Sequence, residues 1–323
     1  MKERIIKQFK KTRAFVQKKH CRIELPLKSD VGKEDGKLIT IFPEVGSILF
    51  NLIEIHSTKI PDYIANPVKR LKELKINYCA AGRCELKLKS GECTYLAAGE
   101  IAIDTGQAEN SFYYPRGEYI GYEVIVHIGD SDGAASFLYG CFEGKNRPWI
   151  RAAGKFLSGF YDTFKYYTEE DLGHELISLK CVELLTYLTK LDFEHIQIKR
   201  SYYTTSQAEI AKRVKSLICS DLSVRYSAKD LAKKFGVSET SLKNYFRTVY
   251  GCGYAEFQQN ARMEKAAELL NKTEQKIADI GLSVGFVTQS KFGAAFKNRF
   301  GVTPLEYRRQ RRLNERIFPM CEE

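Results

Sequence analysis

From Leu38 to Ile128 the chain runs in short apolar or alternating stretches, LITIF, ILFNLIEIH, LKINYCAAG, CELKLKSG, CTYLAAGEIAI and YEVIVHIG, separated by Gly, Asn, Asp and Pro. Alternation of this kind at short intervals predicts the strands of a small sandwich or barrel. Residues 25–37, LPLKSDVGKEDGK, read as a hairpin or loop, and the basic start Met1–Lys19 fits an arm, a helix or a disordered tail equally. After Gly144 the period lengthens: Trp149–Phe164 and His174–Leu191 carry apolar residues three and four apart, among them Leu176, Leu179, Leu184, Leu185 and Leu188. That spacing predicts amphipathic helices, which need a partner surface, either the β region of the same chain or a second copy. Residues 197–207, QIKRSYYTTSQ, poor in aliphatics and rich in Ser and Thr, read as a linker.

The last third repeats itself with a period near fifty. At a spacing of 50, Phe246 meets Phe296, Tyr250 meets Phe300, Gly251 meets Gly301 and Glu256 meets Glu306. Upstream the spacing is 49, pairing Asp230 with Asp279, Leu231 with Ile280 and Gly236 with Gly285, so the second copy carries one extra residue in its turn. In the first copy Ser227 is placed to cap a short helix with Leu231, Ala232 and Phe235 on one face, and Gly236 stops it. Ser238 is placed to cap the next helix, in which Leu242, Tyr245, Phe246 and Val249 form one stripe and Glu239, Thr240, Lys243, Asn244 and Arg247 face outward. In the second copy Lys276–Val284 precedes the turn Gly285-Phe286-Val287, and Thr288 caps a helix to Arg299 with Phe292, Ala295 and Phe296 inward. Gln289, Ser290, Gly293, Ala294 and Lys297 are left outward. Two short helices joined by a tight Gly-containing turn are a helix-turn-helix, whose second helix fits the major groove of DNA. Tyr254–Asn271 between the copies predicts one amphipathic helix of roughly 27 Å, a spacer able to set two recognition helices about one DNA turn apart.

The stretch KIADIGLSVGFVTQSKFGAAFKNRFGVTPLEYRR, residues 276–309, resembles the signature of the AraC/XylS family of bacterial regulators, and the likeness extends over about residues 205–312. The resemblance implies that both units contact successive major grooves. Carried over by position, the recognition residues are Thr240, Lys243 and Asn244 in the first unit and Gln289, Ser290 and Ala294 in the second, with Arg247 and Lys297 beside them. Ala294 stands where family members often carry a large polar residue, and Gly281 where most carry Ala; the second unit is expected to read thymine methyls or mainly to position the protein. The N-terminal half looks like the sensor portion of that family, a cupin-like β barrel followed by helices. The expected class is α+β: a cupin-like sensor over 1–150, a helical dimerisation segment over 151–195, a linker over 196–206 and a DNA-binding domain over 207–312. Within the last, the two helix-turn-helix units fall at 228–249 and 276–299, joined by a linking helix at 254–271.

Charge sharpens this picture. Residues 205–313 hold 20 Lys and Arg against 10 Asp and Glu, while the rest of the chain holds 31 against 30, so nearly all of the net +11 lies in the repeat region, as a polyanion partner requires. No stretch approaches the roughly 18 uninterrupted apolar residues of a membrane span, and MKERIIKQFKKTRAF lacks the apolar core of a secretory signal. The nine scattered cysteines form no disulfide framework and include no CxxC, which points to a reducing cytoplasm and to no metal site. A catalytic cupin needs clustered His and Glu, but the strand region offers only His56 and His127, so an enzyme is not expected and neither is a cofactor. Phe112, Tyr113, Tyr114, Tyr119 and Tyr122 are candidates for a pocket lining or for core.

These readings make the chain a transcription regulator that binds a double-stranded operator and answers to a small-molecule effector. A homodimer is expected, with RNA polymerase as a partner if it activates, and no membrane. Two alternatives fit the same sequence. One is a regulator governed by a partner protein without a ligand. The other is a DNA-repair protein that spends Cys79, Cys84 or Cys93 on an alkyl group.

Overall fold

The computed structural model of the chain describes residues 22–28, 34–42, 48–57, 72–106, 108–110, 113–129, 133–193 and 200–317. The basic start Met1–Lys19 and Phe112 lie outside the described residues. Two compact units divide between Thr205 and Ser206.

The first unit is built on antiparallel strands: β1 (Arg22–Lys28), β2 (Glu34–Ile41), β3 (Ile48–Ile55), β4 (Glu73–Leu88), β5 (Glu92–Ala97), β6 (Glu100–Asp104), β7 (Ala108–Asn110), β8 (Tyr119–His127), β9 (Trp149–Ala152) and β10 (Tyr203–Thr204). The pairing runs β1-β2-β3-β8-β4-β5-β10, with β6 bridging β4 and β9, and β7 on β4. The long strand β4 changes partners midway. Its first part lies between β8 and β6, whereas Arg83–Lys87 pairs with β5. A register shift between Cys79 and Ala81 and the left-handed Gly82 at φ 80° make that switch; a Cβ at Gly82 would fall 2.0 Å from the Glu118 carbonyl oxygen, so only glycine fits. Among the described strands no pairing joins β1 to β10, and the sheet stays open rather than closing as a barrel.

Helices α1 (Ala134–Phe142), α2 (Gly154–Glu169) and α3 (His174–Leu188) complete this unit. Leu157, Phe160 and Phe164 of α2 and Ile177, Cys181 and Leu184 of α3 share a core with Phe50, Ile76, Tyr122 and Val124 of the sheet. The Phe164 ring lies 4.5 Å from Phe50 and 4.9 Å from Tyr122. Trp149–Ala152, expected to open a helix, is instead strand β9, registered on Glu100–Ile103 of β6. Pairing with a strand edge outweighs the helical spacing there, and the helix begins only after Ala153. Helix α1 escaped the periodicity because only Leu138 and Phe142 are buried on it.

The second unit is all helical: α4 (Thr205–Ser220), α5 (Ala228–Phe235), α6 (Glu239–Tyr250), α7 (Tyr254–Lys272), α8 (Ile277–Ser283), α9 (Gln289–Phe300) and α10 (Pro304–Ile317). Its second half closes on Met263, Leu270, Ile280, Phe292 and Phe296. Gly281 belongs to that closure. A Cβ there would lie 3.1 Å from the ring of Phe292, which is fully buried between Phe286 and Phe296. Gly281→Ala gains about 1 kcal/mol of helix propensity but crowds a ring with nowhere to move, at about 1–3 kcal/mol. The urea midpoint of the unit is expected to fall; a rise would show that Phe292 has room. No helix among the described residues is long and apolar enough to cross a membrane.

Candidate nucleic-acid interface

Each copy of the repeat is a helix pair whose second helix is capped by a hydroxyl. In the first, the Ser227 hydroxyl accepts from the Asp230 N–H at 3.1 Å to start α5, and Gly236 at φ 66° ends it. Two residues on, the Ser238 hydroxyl accepts from the Ser241 N–H at 3.1 Å and starts α6, which Gly251 ends at φ 73°. In the second copy the Thr288 hydroxyl accepts from the Lys291 N–H at 3.3 Å to start α9, and Gly301 ends it at φ 79°. The caps satisfy backbone donors that a helix start leaves open, and the left-handed glycines let the chain turn at once. Entry and exit of both recognition helices are thereby fixed.

The inner stripes are as the spacing requires. Leu242, Phe246, Val249 and Tyr250 are buried on α6, and Phe246 stacks within 4.6 Å of Tyr250 and 5.5 Å of Phe257. Tyr245 is only half-buried, its hydroxyl receiving the Gln207 amide N–H at 3.1 Å. On α9, Phe292 and Phe296 are buried, with Phe296 4.5 Å from Phe300 and 5.3 Å from Tyr307. The outer faces are correspondingly bare. Thr240, Lys243, Asn244 and Arg247 on α6 and Gln289, Ser290, Ala294 and Lys297 on α9 are all exposed. Lys243 Nζ pairs with Glu239 one turn earlier at 3.5 Å, an exposed contact of small strength.

Helix α7 does more than separate the copies. Its buried Arg262 donates through Nε to the Leu222 carbonyl at 2.7 Å and through Nη2 to the Val224 carbonyl at 3.1 Å, and Gln258 donates to the same Val224 oxygen at 2.6 Å. Desolvation and the neighbouring Arg225 hold the Arg262 guanidinium below its ordinary pKa. Gly285, in the turn of the second copy at φ 84°, packs against this knot: a Cβ would fall 2.6 Å from the Ser223 carbonyl oxygen and 2.8 Å from Arg262 Nη2. The segment leading into the first copy is thus tied to the turn of the second. Downstream, Thr303 and Glu306 cap α10 reciprocally, and the Thr303 N–H, 2.8 Å from Glu306 Oε2, holds that carboxyl below its usual range.

Val287, in the turn, is not singled out by the helical periodicity. It is the one residue of the second turn with no counterpart in the first, because Phe286 aligns with Val237 at a spacing of 49 and Thr288 with Ser238 at 50. The inserted valine is 86% exposed immediately before the cap of α9, between Phe286, whose ring packs on Phe292, and Thr288. The change of spacing was the available signal.

These features define a protein with two helix-turn-helix units presented on one basic helical unit. A family model described as a helix-turn-helix domain matches residues 231–310. Over 78 residues the chain is 38% identical to the regulatory protein SoxS of Salmonella typhimurium, covering 24% of this chain and 73% of that one. It is 32% identical over 93 residues to the probable transcription factor PqrA of Proteus vulgaris, covering 28% and 76%. The transcriptional activator AggR of Escherichia coli is 28% identical over 146 residues, or 45% of this chain and 52% of AggR. The chain belongs to the AraC/XylS family of regulators. It spans about half the length of the first curated relatives it matches.

Proposed function

We propose that the protein is a sequence-specific transcription regulator that lays α6 and α9 into successive major grooves of one operator. The observation that carries this is the pair of in-register, capped recognition helices with bare polar faces on the one part of the chain that holds almost all of the excess positive charge. In this reading Thr240, Lys243 and Asn244 read base edges from α6, with Arg247 on the backbone. On α9, Gln289 and Ser290 offer hydrogen bonds and Lys297 a phosphate contact, while Ala294 and the exposed Val287 form apolar contacts suited to thymine methyls. The two units then differ in kind: polar readout by the first, methyl readout by the second.

The first unit acts as an effector sensor that shifts the population of a DNA-competent arrangement, in the manner of a cupin-like sensor domain. Dimerisation through α3 fits its surface: Leu176, Leu179 and Val182 lie three residues apart on the side away from the core, Leu179 being 65% exposed. Activation through RNA polymerase completes the proposal. The alkyl-acceptor alternative finds no support in the thiols, since Cys79, Cys84 and Cys93 are buried. Burial pushes Cys79 up to about 12 and Cys84 well above its ordinary value, which removes the thiolate that attack requires.

Lys243→Ala tests the docking. Affinity for a duplex selected from a random pool is expected to fall about tenfold, corresponding to ~1.4 kcal/mol, with the thermal midpoint nearly unchanged because only an exposed ion pair is lost. Equal affinity of variant and wild type for selected and scrambled duplexes would remove α6 from the interface.

A further inference from the structure

The strand sheet of the first unit has two unlike faces. One carries the apolar side chains that pack on the helices, among them Phe50, Ile76 and Val124. The other carries a polar row in direct cross-strand register: Thr40 on β2 opposes Asn51 on β3, Asn51 opposes Glu123 on β8, and Glu123 opposes Asn77 on β4. The hydrogen bonds run in one direction. The Thr40 hydroxyl donates to Asn51 Oδ1 at 2.8 Å, and Asn51 Nδ2 donates to Glu123 Oε2 at 3.0 Å, so the chain ends on the carboxylate. From the other side the Tyr119 hydroxyl donates to Asn77 Oδ1.

Glu123 is 7% exposed, and among the described residues no Lys, Arg or His forms an ion pair with it. Lys75, two residues before Asn77 on β4, is within 3.8 Å of Glu73 instead. A carboxylate accepts about four hydrogen bonds, and one buried among neutral groups is costly unless something answers its charge. The face around it is only partly covered. Leu38 and Ile53, on this same face, are only partly buried, as is Asn77, whereas the helix-packed face is closed.

We propose that this row is the floor of a small-molecule site, and that its ligand is a primary amine or guanidine on a compact apolar body, with the cation seated between Glu123 and Asn77. The proposal rests on the sensor reading and names its ligand class. Apolar walls with a few placed polar groups are the make-up of ligand pockets; here the unanswered negative charge selects a cation, a neutral hydroxyl compound gains less from it, and an anion is repelled.

The test is the thermal midpoint of the full chain with phenethylamine and agmatine, against 2-phenylethanol and phenylacetate as neutral and acidic controls. Amines are expected to raise the midpoint with concentration while the controls leave it in place. Glu123→Gln, which keeps the Asn51 hydrogen bond, is expected to weaken amine binding at least about tenfold and to leave the ligand-free midpoint equal or higher. Asn77→Asp, which preserves the acceptor for Tyr119, is expected to tighten it. The proposal is overturned if the controls shift the midpoint as the amines do, if no amine shifts it, if Glu123→Gln binds amines like the wild type, or if that variant melts well below it. Failure of the sensor reading is separately visible: amines would then bind through Glu123 without altering affinity for the selected duplex.

Discussion

Phe296→Ala is expected to lower the stability of the C-terminal unit by about 3–5 kcal/mol, the usual cost of emptying a fully buried phenylalanine site. Phe296 has no exposed surface, and its ring meets Phe292, Phe300 and Tyr307 at 5.7, 4.5 and 5.3 Å. It therefore fixes two elements at once: helix α9, to which it belongs, as far as its end at Phe300, and α10. Rings packed on several sides cannot collapse into the space without moving a helix, which puts the cost at the upper end. Domains of this size are stable by only about 5–15 kcal/mol, so much of the total is lost, and duplex binding should weaken with it. Urea denaturation followed by far-ultraviolet circular dichroism reads the change. A loss below about 1 kcal/mol would mean that α9 is held by something other than this cluster. Lys297→Ala, one residue on and exposed, is the control that should leave the denaturation curve in place.

Gly285→Ala is the second large effect, about 2–5 kcal/mol, and it has a different cause. Holding a non-glycine residue in the left-handed region costs roughly 1–2 kcal/mol, and here the new methyl also meets the Ser223 backbone oxygen and the Arg262 guanidinium. Crowding of that kind adds about 1–3 kcal/mol. Gly236 and Gly301 have similar backbone angles but open space around them, so alanine at either should cost only the strain. The comparison isolates the knot around Arg262. If Gly285→Ala and Gly236→Ala were equally mild, the tie between the two copies would be of no energetic consequence.

Much of the second unit was legible in the chain because its determinants are local. Ser227, Ser238 and Thr288 cap helices where spacing put them, and Gly236, Gly251 and Gly301 end them in left-handed geometry. The eight candidate recognition residues fell outward because the stripes of Leu242, Phe246, Phe292 and Phe296 fix the opposite face. Helix α4 is less legible: the polar stretch Thr204–Gln207 reads as linker, whereas Thr205 begins a helix whose buried side consists of the small residues Ala208 and Ala211 with Val214 and Ile218. Small residues leave a faint periodic signal. Gly281 reads as loosening its helix, and only the placement of Phe292 shows what the missing methyl makes room for.

The first unit was legible as strands but not as a sheet. Alternation locates Ile48–Ile55 and Tyr119–His127, yet nothing local announces that Asn51 will face Glu123 across 72 residues of sequence. Register between distant strands is a tertiary property, and the polar row exists only through it. The same holds for Trp149–Ala152, whose apolar spacing suits a helix until the edge of β6 is available to pair with it. Tyr114, Tyr119 and Tyr122 are buried, but on different faces: Tyr122 packs under the helices, and Tyr114 and Tyr119 stack at 5.2 Å in the cluster on the other side.

Docking of α6 and α9 in two successive major grooves of one duplex is read by hydroxyl-radical footprinting on a duplex selected from a random pool. Two protected patches on one face of the helix, their centres about 10–10.5 base pairs apart, are expected, with Lys243→Ala weakening one patch and leaving the other. A single patch, or protection that ignores sequence, would contradict it.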